Sequence, residues 1–268
     1  MKTLRPSRRA MRARRPGVAH PWAGVMVALG LVQLGCGSAE SPENTRSSGV
    51  RITPKRCTGD STQTVMVGDS YLALSGDVYR FLQQYSGGQT YRTYYVSGTQ
   101  LVGGLPPSIP DQARQAYAEG PVQTIIMTGG GNDVLIGDQT CKTDPLGQPC
   151  TTTVDNTVAA ARDLMVEAAD KGVEEVIYFF YPHLPGTSFL APATLNQTLD
   201  YAAPRAKDVC ESSTVLDCSF IDTRPPFEGH SDYIGLDGIH PTAAGSQVIA
   251  QLIWAVMQEN CERGVEVF

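Results

Sequence analysis

Short runs of apolar and β-branched residues alternate along the chain with longer segments whose apolar positions recur at helical spacing. The short runs predict buried strands, at residues 64–67, 91–96, 122–127, 176–181 and 215–221. The longer segments predict amphipathic helices, over residues 73–85, 111–118, 153–170 and 193–209 and from about residue 242 onward. Strands that alternate with helices of this length indicate a parallel sheet.

The expected fold is an α/β domain, a three-layer α/β/α sandwich with a central, mostly parallel sheet of the flavodoxin-like type. We assign it residues 57–268, because no internal repeat and no second domain boundary interrupts the alternation. Ligands of open α/β sheets bind beyond the carboxyl ends of the strands. Residues that follow the predicted strands are therefore the first candidates for chemistry.

The first 56 residues have a different character. A basic segment precedes an uncharged apolar run over 22–34, which is short for a membrane span and typical of a secretory signal. The run ends at Gly35-Cys36, so residues 1–36 resemble a bacterial lipoprotein signal with Cys36 as the lipidated residue. An ordinary cleaved signal is the alternative. Residues 37–56 are polar and predict a flexible tether, so we expect export to the cell envelope, with a lipid anchor if Cys36 is modified, or secretion.

Charge is unevenly distributed along the chain. The sequence has 21 Lys and Arg and 27 Asp and Glu, but seven of the bases and none of the acids lie in residues 1–35. The rest of the chain carries a net charge of −13. An acidic domain argues against nucleic acid and anionic membranes as ligands.

Six cysteines follow Cys36, and an even number in an exported chain indicates disulfides. A zinc site is the competing interpretation, but the chain has no C-x-x-C motif and an oxidising compartment disfavours free thiols. We therefore expect no metal. Short separations in the sequence favour the disulfides Cys141–Cys150 and Cys210–Cys218. The two cysteines that remain would then form the pair Cys57–Cys261.

Four polar or glycine-rich stretches follow predicted strands or precede the last helix: Gly68-Asp69-Ser70, Ser97-Gly98, Gly130 to Asp133, and Asp237 to His240. The first stretch lies between a strand and a helix. A serine hydroxyl can be exposed there, and the free N–H groups of the helix can stabilise an oxyanion. A serine in this position is more often only a helix N-cap, so the other three stretches carry the argument.

Taken in order, G-D-S, then G-x-N-D, then D-x-x-H before a last helix resemble the motifs of the GDSL, or SGNH, hydrolase family. The resemblance runs from residue 64 to about residue 257, and its first motif reads GDSY instead of GDSL. It implies that Ser70 is a nucleophile, that His240 is its general base and that Asp237 orients that base. The oxyanion donors it implies are the backbone N–H groups of Ser70 and Gly98 and the side-chain amide of Asn132.

Elementary chemistry agrees with these roles. A serine hydroxyl is a poor nucleophile without an adjacent base. An Asp and a His three residues apart can face each other across a turn, which leaves the far imidazole nitrogen free for the serine. We expect Asp69 to be structural and Asp133 to hold the oxyanion loop.

Each motif also has a simpler interpretation. Asn132-Asp133 after three glycines is typical of a turn and a helix cap. Asp237 and His240 could form an exposed loop and a cap on the last helix. The glycine run does not fit a dinucleotide-binding loop, because Val134 stands where the third glycine belongs.

Four residues near the motifs are weaker candidates for substrate contact: Tyr71, Leu101, His183 and Tyr233. Of these, His183 follows a predicted strand but has no acidic residue close to it in the sequence. No P-loop, G-x-S-x-G or H-E-x-x-H motif occurs, and no cofactor is implied.

The sequence thus predicts an exported serine esterase or lipase-like hydrolase that acts on carboxylic esters of a lipid, a glycan or a small molecule. An acyltransferase that uses the same residues is one alternative. A non-catalytic surface binding protein on the same scaffold is the other.

Overall fold

The computed structural model describes residues 61–263, with side chains described as far as residue 259. The predicted signal peptide, the tether and the pair Cys57–Cys261 therefore lie outside the part of the chain whose side chains are described. Within that part, no helix is both long enough and apolar enough to cross a membrane.

Five strands form one parallel sheet in the order β2-β1-β3-β4-β5. Their bounds are β1 Thr64–Val67, β2 Arg92–Thr93, β3 Thr124–Met127, β4 Glu175–Phe179 and β5 Asp217–Ile221. This is the flavodoxin-like order, in which the chain moves outward from β1 in one direction and then, from β3, in the other. Strands β1 and β3 are neighbours and end together, because Val67 pairs with Met127. The loops that follow these two strands therefore meet at one point.

Helices cover both faces of this sheet. Their bounds are α1 Ser70–Ala73, α2 Asp77–Tyr85, α3 Ile109–Glu119, α4 Gln148–Asp170, α5 Leu195–Glu211, α6 Arg224–Phe227 and α7 Ala243–Arg263. Helices α2 and α7 pack against each other, as do α4 and α5, and an ion pair between Arg114 and Glu167 joins α3 to α4. With right-handed crossovers the two groups lie on opposite faces, which confirms the predicted three-layer architecture.

The largest differences from the predicted element boundaries lie in three places. The helix predicted over 73–85 begins only at Asp77, because Gly76 adopts a left-handed conformation between α1 and α2 (φ +67°). Helix α4 begins at Gln148 instead of residue 153, with Pro149 in its first turn where a missing N–H costs nothing. The strand predicted over 91–96 is regular only at Arg92–Thr93.

The rest of that strand segment still follows β1. The N–H of Tyr94 donates to the carbonyl of Met66 (2.9 Å), and the N–H of Val96 donates to the carbonyl of Gly68 (3.0 Å). The chain is therefore led past the end of β1, and the Gly98 loop begins beside Gly68.

Two disulfides are present among the described residues, and both match the pairs favoured by sequence spacing. Cys141–Cys150 joins the short turn Gln139–Lys142 to the first turn of α4. Cys210–Cys218 joins the end of α5 to β5.

Candidate functional site

The loop after β1 holds Ser70 at the start of α1. Gly68 is required there, because its φ of +147° is unfavourable for other residues and a Cβ would lie 2.8 Å from the carbonyl oxygen of Thr128. Asp69 is the N-cap of α1, and its Oδ1 accepts the N–H of Tyr71 at 3.0 Å. Ser70 is the first residue of α1 and is 9% exposed. Its own N–H belongs to the first turn, which leaves it without a partner inside the helix.

A buried glutamine on α3 fixes the backbone of this loop. The Oε1 of Gln112 accepts the N–H of Gly68 at 2.7 Å, and its Nε2 donates to the carbonyl of Gly68 at 3.0 Å. The same Nε2 donates to Oγ1 of Thr99 at 3.1 Å, and that hydroxyl donates to the Gly68 carbonyl at 3.1 Å. One side chain therefore ties the serine loop to the loop that carries Gly98.

The third loop precedes α7 and carries an Asp–His pair. Nδ1 of His240 lies 2.6 Å from Oδ2 of Asp237. The other carboxylate oxygen of Asp237 accepts the N–H groups of Ile239 and His240, both at 3.0 Å. Partial burial acts to raise the pKa of Asp237, but these hydrogen bonds and the imidazole outweigh it and hold the pKa below its usual value. The carboxylate is thus ionised and fixed, and it accepts the Nδ1 proton.

Tyr71 links the serine helix to the histidine loop. Its hydroxyl donates to the carbonyl of Ile239 at 2.6 Å, and its ring lies 6.1 Å from the His240 ring. A hydrogen bond therefore connects the residue that follows Ser70 to the residue that precedes His240. No hydrogen bond joins Oγ of Ser70 to the imidazole within residues 61–259, and such bonds are often long until substrate binds.

The loop after β3 places Asn132 beside the Gly98 loop. Nδ2 of Asn132 donates to the carbonyl of Thr99 at 3.0 Å, and the carbonyl of Asn132 accepts Nε2 of Gln100 at 2.9 Å. One N–H of the buried Asn132 amide is therefore used and the second stays available. Gly98 itself is exposed and has a φ of +82°.

The carboxylate of Asp133 also connects the loop after β3 to the loop that carries Gly98. Its carboxylate accepts the N–H of Leu101 at 3.0 Å and the N–H of Val102 at 2.8 Å. This is the structural contact expected of Asp133. Burial raises its pKa, although both backbone bonds oppose that effect.

Asp69 is also a buried carboxylate with defined partners. Its Oδ2 accepts the hydroxyl of Tyr181 at 2.5 Å, and the Tyr181 ring packs edge-on against Tyr71. Burial raises the pKa of Asp69, while the bonds from Tyr181 and Tyr71 oppose the shift. Burial likewise raises the pKa of Tyr181, and the neighbouring Asp69 adds to it, so the phenol keeps its proton and donates to the carboxylate.

A pocket opens beside Ser70 and Asn132, and the space in it, together with the solvent at its entrance, is about 460 Å³. Among the weaker candidates from the sequence, Tyr71 lines this cavity, whereas Leu101, His183 and Tyr233 are not among its lining residues. Leu101 is buried under Gly129, and Tyr233 stacks on His230.

His183 has an acidic partner that lies far from it in the sequence. Its Nε2 lies 2.7 Å from Oδ1 of Asp200, a residue of α5 that also pairs with Arg224. The partner lies 17 residues along the chain, so proximity in the sequence could not reveal it.

Sequence reasoning placed Tyr181 only as a possible pocket residue and did not single out Gln112, so the positioning contacts of both were not predicted. Each acts on the serine loop from far along the chain, at separations of 44 and 112 residues. A glutamine within a helix and a tyrosine at a strand end carry no local signal for such a role. Within the described residues, no group of three or more His, Cys, Asp and Glu could hold a metal ion.

Comparison with known proteins gives similarity at the level of the fold. No protein-family model and no curated protein sequence matches the chain. Among solved structures, a mutant of Axe2, an acetyl-xylooligosaccharide esterase from a Geobacillus, has a TM-score of 0.54 and 18% identity, covering 74% of this chain and 95% of that one. A second Axe2 mutant, an acetyl xylan esterase from Geobacillus stearothermophilus, has a TM-score of 0.52 and 18% identity, covering 78% and 98%. LAE5, an alpha/beta hydrolase enzyme from the metagenome of Lake Arreo in Spain, has a TM-score of 0.51 and 20% identity, covering 75% and 95%.

The chain therefore has the α/β/α fold of these structures, which confirms the predicted fold class. The same fold brings the loops of Ser70, Asn132 and His240 together at the carboxyl edge of its sheet.

Proposed function

We propose that this protein is a serine hydrolase that cleaves carboxylic esters through an acyl-enzyme on Ser70. The observation that carries the proposal is the link between two loops. The Asp237–His240 pair, 2.6 Å apart, is held against the Ser70 helix by the bond from Tyr71 to Ile239. A base with an orienting carboxylate is what a serine nucleophile needs.

In the first half-reaction, Oγ of Ser70 attacks the ester carbonyl carbon while Nε2 of His240 takes the hydroxyl proton. Asp237 stabilises the imidazolium that forms. The negative charge that develops on the carbonyl oxygen is met by the N–H groups of Ser70 and Gly98 and by the free N–H of Asn132. The C–O bond to the alcohol then breaks, and the alcohol leaves with the proton from His240.

In the second half-reaction, water attacks the acyl-enzyme carbonyl and gives its proton to His240. The same donors stabilise the second oxyanion. The bond to Oγ breaks, Ser70 recovers the proton from His240, and the carboxylic acid is released. The chemistry needs no cofactor, because the described side chains supply the nucleophile, the base and the oxyanion donors.

Two observations outside the site support this class. Similar structures are named as acetylxylan esterases, which favours ester hydrolysis over other serine chemistry. The two disulfides favour an oxidising compartment and hence export. We also propose that Cys36 is lipidated and anchors the mature protein. Mass spectrometry of its N-terminal peptide tests this, because an unmodified or absent Cys36 would reject the anchor.

Hydrolysis of p-nitrophenyl esters tests the proposed activity. The parent protein is compared with Ser70→Ala and His240→Ala, and circular dichroism checks that each variant is folded. We expect turnover in the parent and a loss of about 10³-fold or more in both variants. A folded Ser70→Ala protein that keeps the parental rate would contradict the proposal. Adding an alcohol acceptor and analysing products distinguishes hydrolysis from acyl transfer.

A further inference from the structure

The cavity beside Ser70 is apolar apart from its mouth. Its floor and walls are formed by six aliphatic side chains, namely Val134, Leu135, Leu184, Leu195, Leu199 and Ile239. They come from the turn after Asn132, the loop after β4, the first two turns of α5 and the histidine loop. The space in this pocket, counted together with the open solvent at its entrance, is about 460 Å³.

The polar groups deep in this cavity already have partners. The Asp69 carboxylate accepts the Tyr181 hydroxyl and the Tyr71 N–H, and the Tyr71 hydroxyl donates to the carbonyl of Ile239. Bonding capacity remains at the Ser70 hydroxyl and at the side-chain amide of Asn132, which are the proposed reacting groups. A sugar or other polar group inside the cavity would lose its bonds to water without replacing them, which is costly. An apolar chain has no hydrogen bonds to water to lose on entering the pocket.

The walls are fixed before any substrate arrives. The side chain of Asn196 on α5 donates to the carbonyl of Leu184 at 2.9 Å and accepts its N–H at 2.8 Å. The Cys141–Cys150 disulfide belongs to the same small apolar cluster as Val134 and Leu195. The cavity is therefore part of the folded structure, and a ligand does not have to open it.

The position of the histidine decides which half of an ester enters. Under the proposed function, His240 gives its proton to the leaving alcohol, so the alcohol must lie on the His240 side. That side is open, since the side chains of His240 and Asp237 are 23% and 46% exposed. The apolar pocket remains for the acyl half.

We infer that this cavity binds the acyl chain of the ester and that the protein prefers medium-chain acyl groups over acetyl. The inference rests on the proposed function and adds the substrate class. Each methylene moved from water into the cavity contributes about 0.8 kcal/mol, or about fourfold in rate. Several methylenes together give a preference for octanoate over acetate on the order of 10²-fold.

A second pocket adjoins this one, and four residues line both, namely Gly131, Val134, Tyr181 and Leu199. Of these four, Leu199 has the aliphatic side chain that can be shortened most. Shortening Leu199 to alanine would join the two spaces and move the preference toward longer chains.

A chain-length series with a constant leaving group tests the inference. The substrates are p-nitrophenyl acetate, butyrate and octanoate, and ethyl and octyl acetate vary the alcohol instead. In the parent we expect kcat/KM to rise with acyl length and to change little with alcohol length. A flat or falling acyl series, or a gain that follows the alcohol chain, would overturn the assignment.

Paired variants connect the preference to the cavity. Leu135→Phe fills the cavity, and Ile136→Phe adds the same ring one residue later at an exposed position outside it. We expect Leu135→Phe to lower the ratio of the octanoate rate to the acetate rate about tenfold or more, and Ile136→Phe to leave this ratio unchanged. Leu199→Ala should favour the longest esters, whereas Leu82→Ala, a buried leucine on α2, controls for lost stability alone. An unchanged ratio in Leu135→Phe would reject the cavity as the acyl site.

A binding measurement distinguishes a failure of this inference from a failure of the proposed activity. Calorimetry with the Ser70→Ala protein measures octanoate and acetate directly, without turnover. If no ester is hydrolysed but octanoate binds and Leu135→Phe abolishes the binding, the apolar-chain site stands and the proposed activity falls. If esters are hydrolysed but octanoate binds no better than acetate, the inference falls and the activity stands.

Discussion

The proposed chemistry depends on single residues, and we infer their roles from their hydrogen bonds. His240 has one ring nitrogen fixed by Asp237, and Asn132 has one amide N–H fixed by Thr99. In both cases one polar atom is held by the protein and the other is left for the reaction. This division is what positions a base and an oxyanion donor without blocking them.

Removing the Asn132 amide tests the oxyanion role. We expect Asn132→Ala to lower kcat by about 10²–10³-fold with little change in KM, because the donor acts mainly on the transition state. Steady-state kinetics on one ester measures both constants. A change in KM alone would instead assign Asn132 to substrate binding.

Replacing Asp237 by asparagine tests the orienting carboxylate. An amide cannot fix the same imidazole tautomer, so we expect kcat to fall by about 10³–10⁴-fold in a folded protein. Kinetics at neutral pH gives the loss. Retention of most of the parental rate would show that His240 is oriented by other contacts.

The same substitution has a pH-dependent effect on stability. The folded pKa of Asp237 is below its usual value, so its contribution to the free energy of unfolding is present above the unfolded pKa, near 3.9. It is lost as the pH falls through the folded pKa. We expect the parent to be more stable than Asp237→Asn at pH 7 and pH 5, with the difference shrinking below about pH 4 in urea unfolding. A difference that persists undiminished in acid would contradict the lowered pKa.

The motif residues could be predicted from the sequence, but the residues that hold them in position could not. Ser70, Asn132, Asp237 and His240 stand in short motifs whose spacing is local. Gln112 reaches Gly68 across 44 residues, a contact that exists only after the sheet has formed. Sequence patterns report periodicity and turns, and they do not report which distant backbone group a buried side chain meets.

At the scale of elements, α3 acts as a support for the catalytic loops. It begins with a capping box in which Ser108 and Asp111 bond each other's backbone, and it presents the fully buried Gln112 to Gly68. The alternation of strands and helices was predictable from periodicity. The break at Gly76 and the short β2 were not, since both depend on one backbone conformation or on an edge position.

The contribution of α3 can be measured with two glutamines on the same helix. Gln112→Leu leaves the buried N–H of Gly68 without its acceptor, so we expect a loss of about 1–3 kcal/mol in the free energy of unfolding and a lower kcat. Gln115→Leu, on the exposed side, should change stability by about 0.5 kcal/mol or less. Urea unfolding and kinetics check both.

A conservative variant distinguishes a role of Gln112 in positioning the Gly68 loop from a role in packing alone. Gln112→Glu keeps an acceptor for the Gly68 N–H and loses the donor, so it should recover part of the kcat lost in Gln112→Leu. Equal kcat in the two variants would reduce Gln112 to a purely structural residue.

At the scale of the whole molecule, the two disulfides stabilise different parts. Cys210–Cys218 ties α5 to the edge strand β5, whereas Cys141–Cys150 packs behind the apolar cavity. Their separations of 8 and 9 residues are similar, so loop entropy predicts a similar stabilisation of about 2.5 kcal/mol each. Their effects on activity should differ.

Serine replacement of each pair tests this difference. We expect both double variants to lose about the same free energy of unfolding in urea. Only the loss of Cys141–Cys150 should lower the preference for octanoate over acetate. A selectivity change in the Cys210–Cys218 variant of equal size would indicate general loosening instead of a local effect on the cavity.

Covalent labelling of Ser70 is the most direct test of the central claim. The parent is treated with a fluorophosphonate, which reacts with activated serines, and the modified peptide is identified by mass spectrometry. We predict one label per chain at Ser70, absent in Ser70→Ala and strongly slowed in His240→Ala. A folded parent that stays unlabelled, or that is labelled at another residue, would contradict a nucleophilic Ser70 activated by His240.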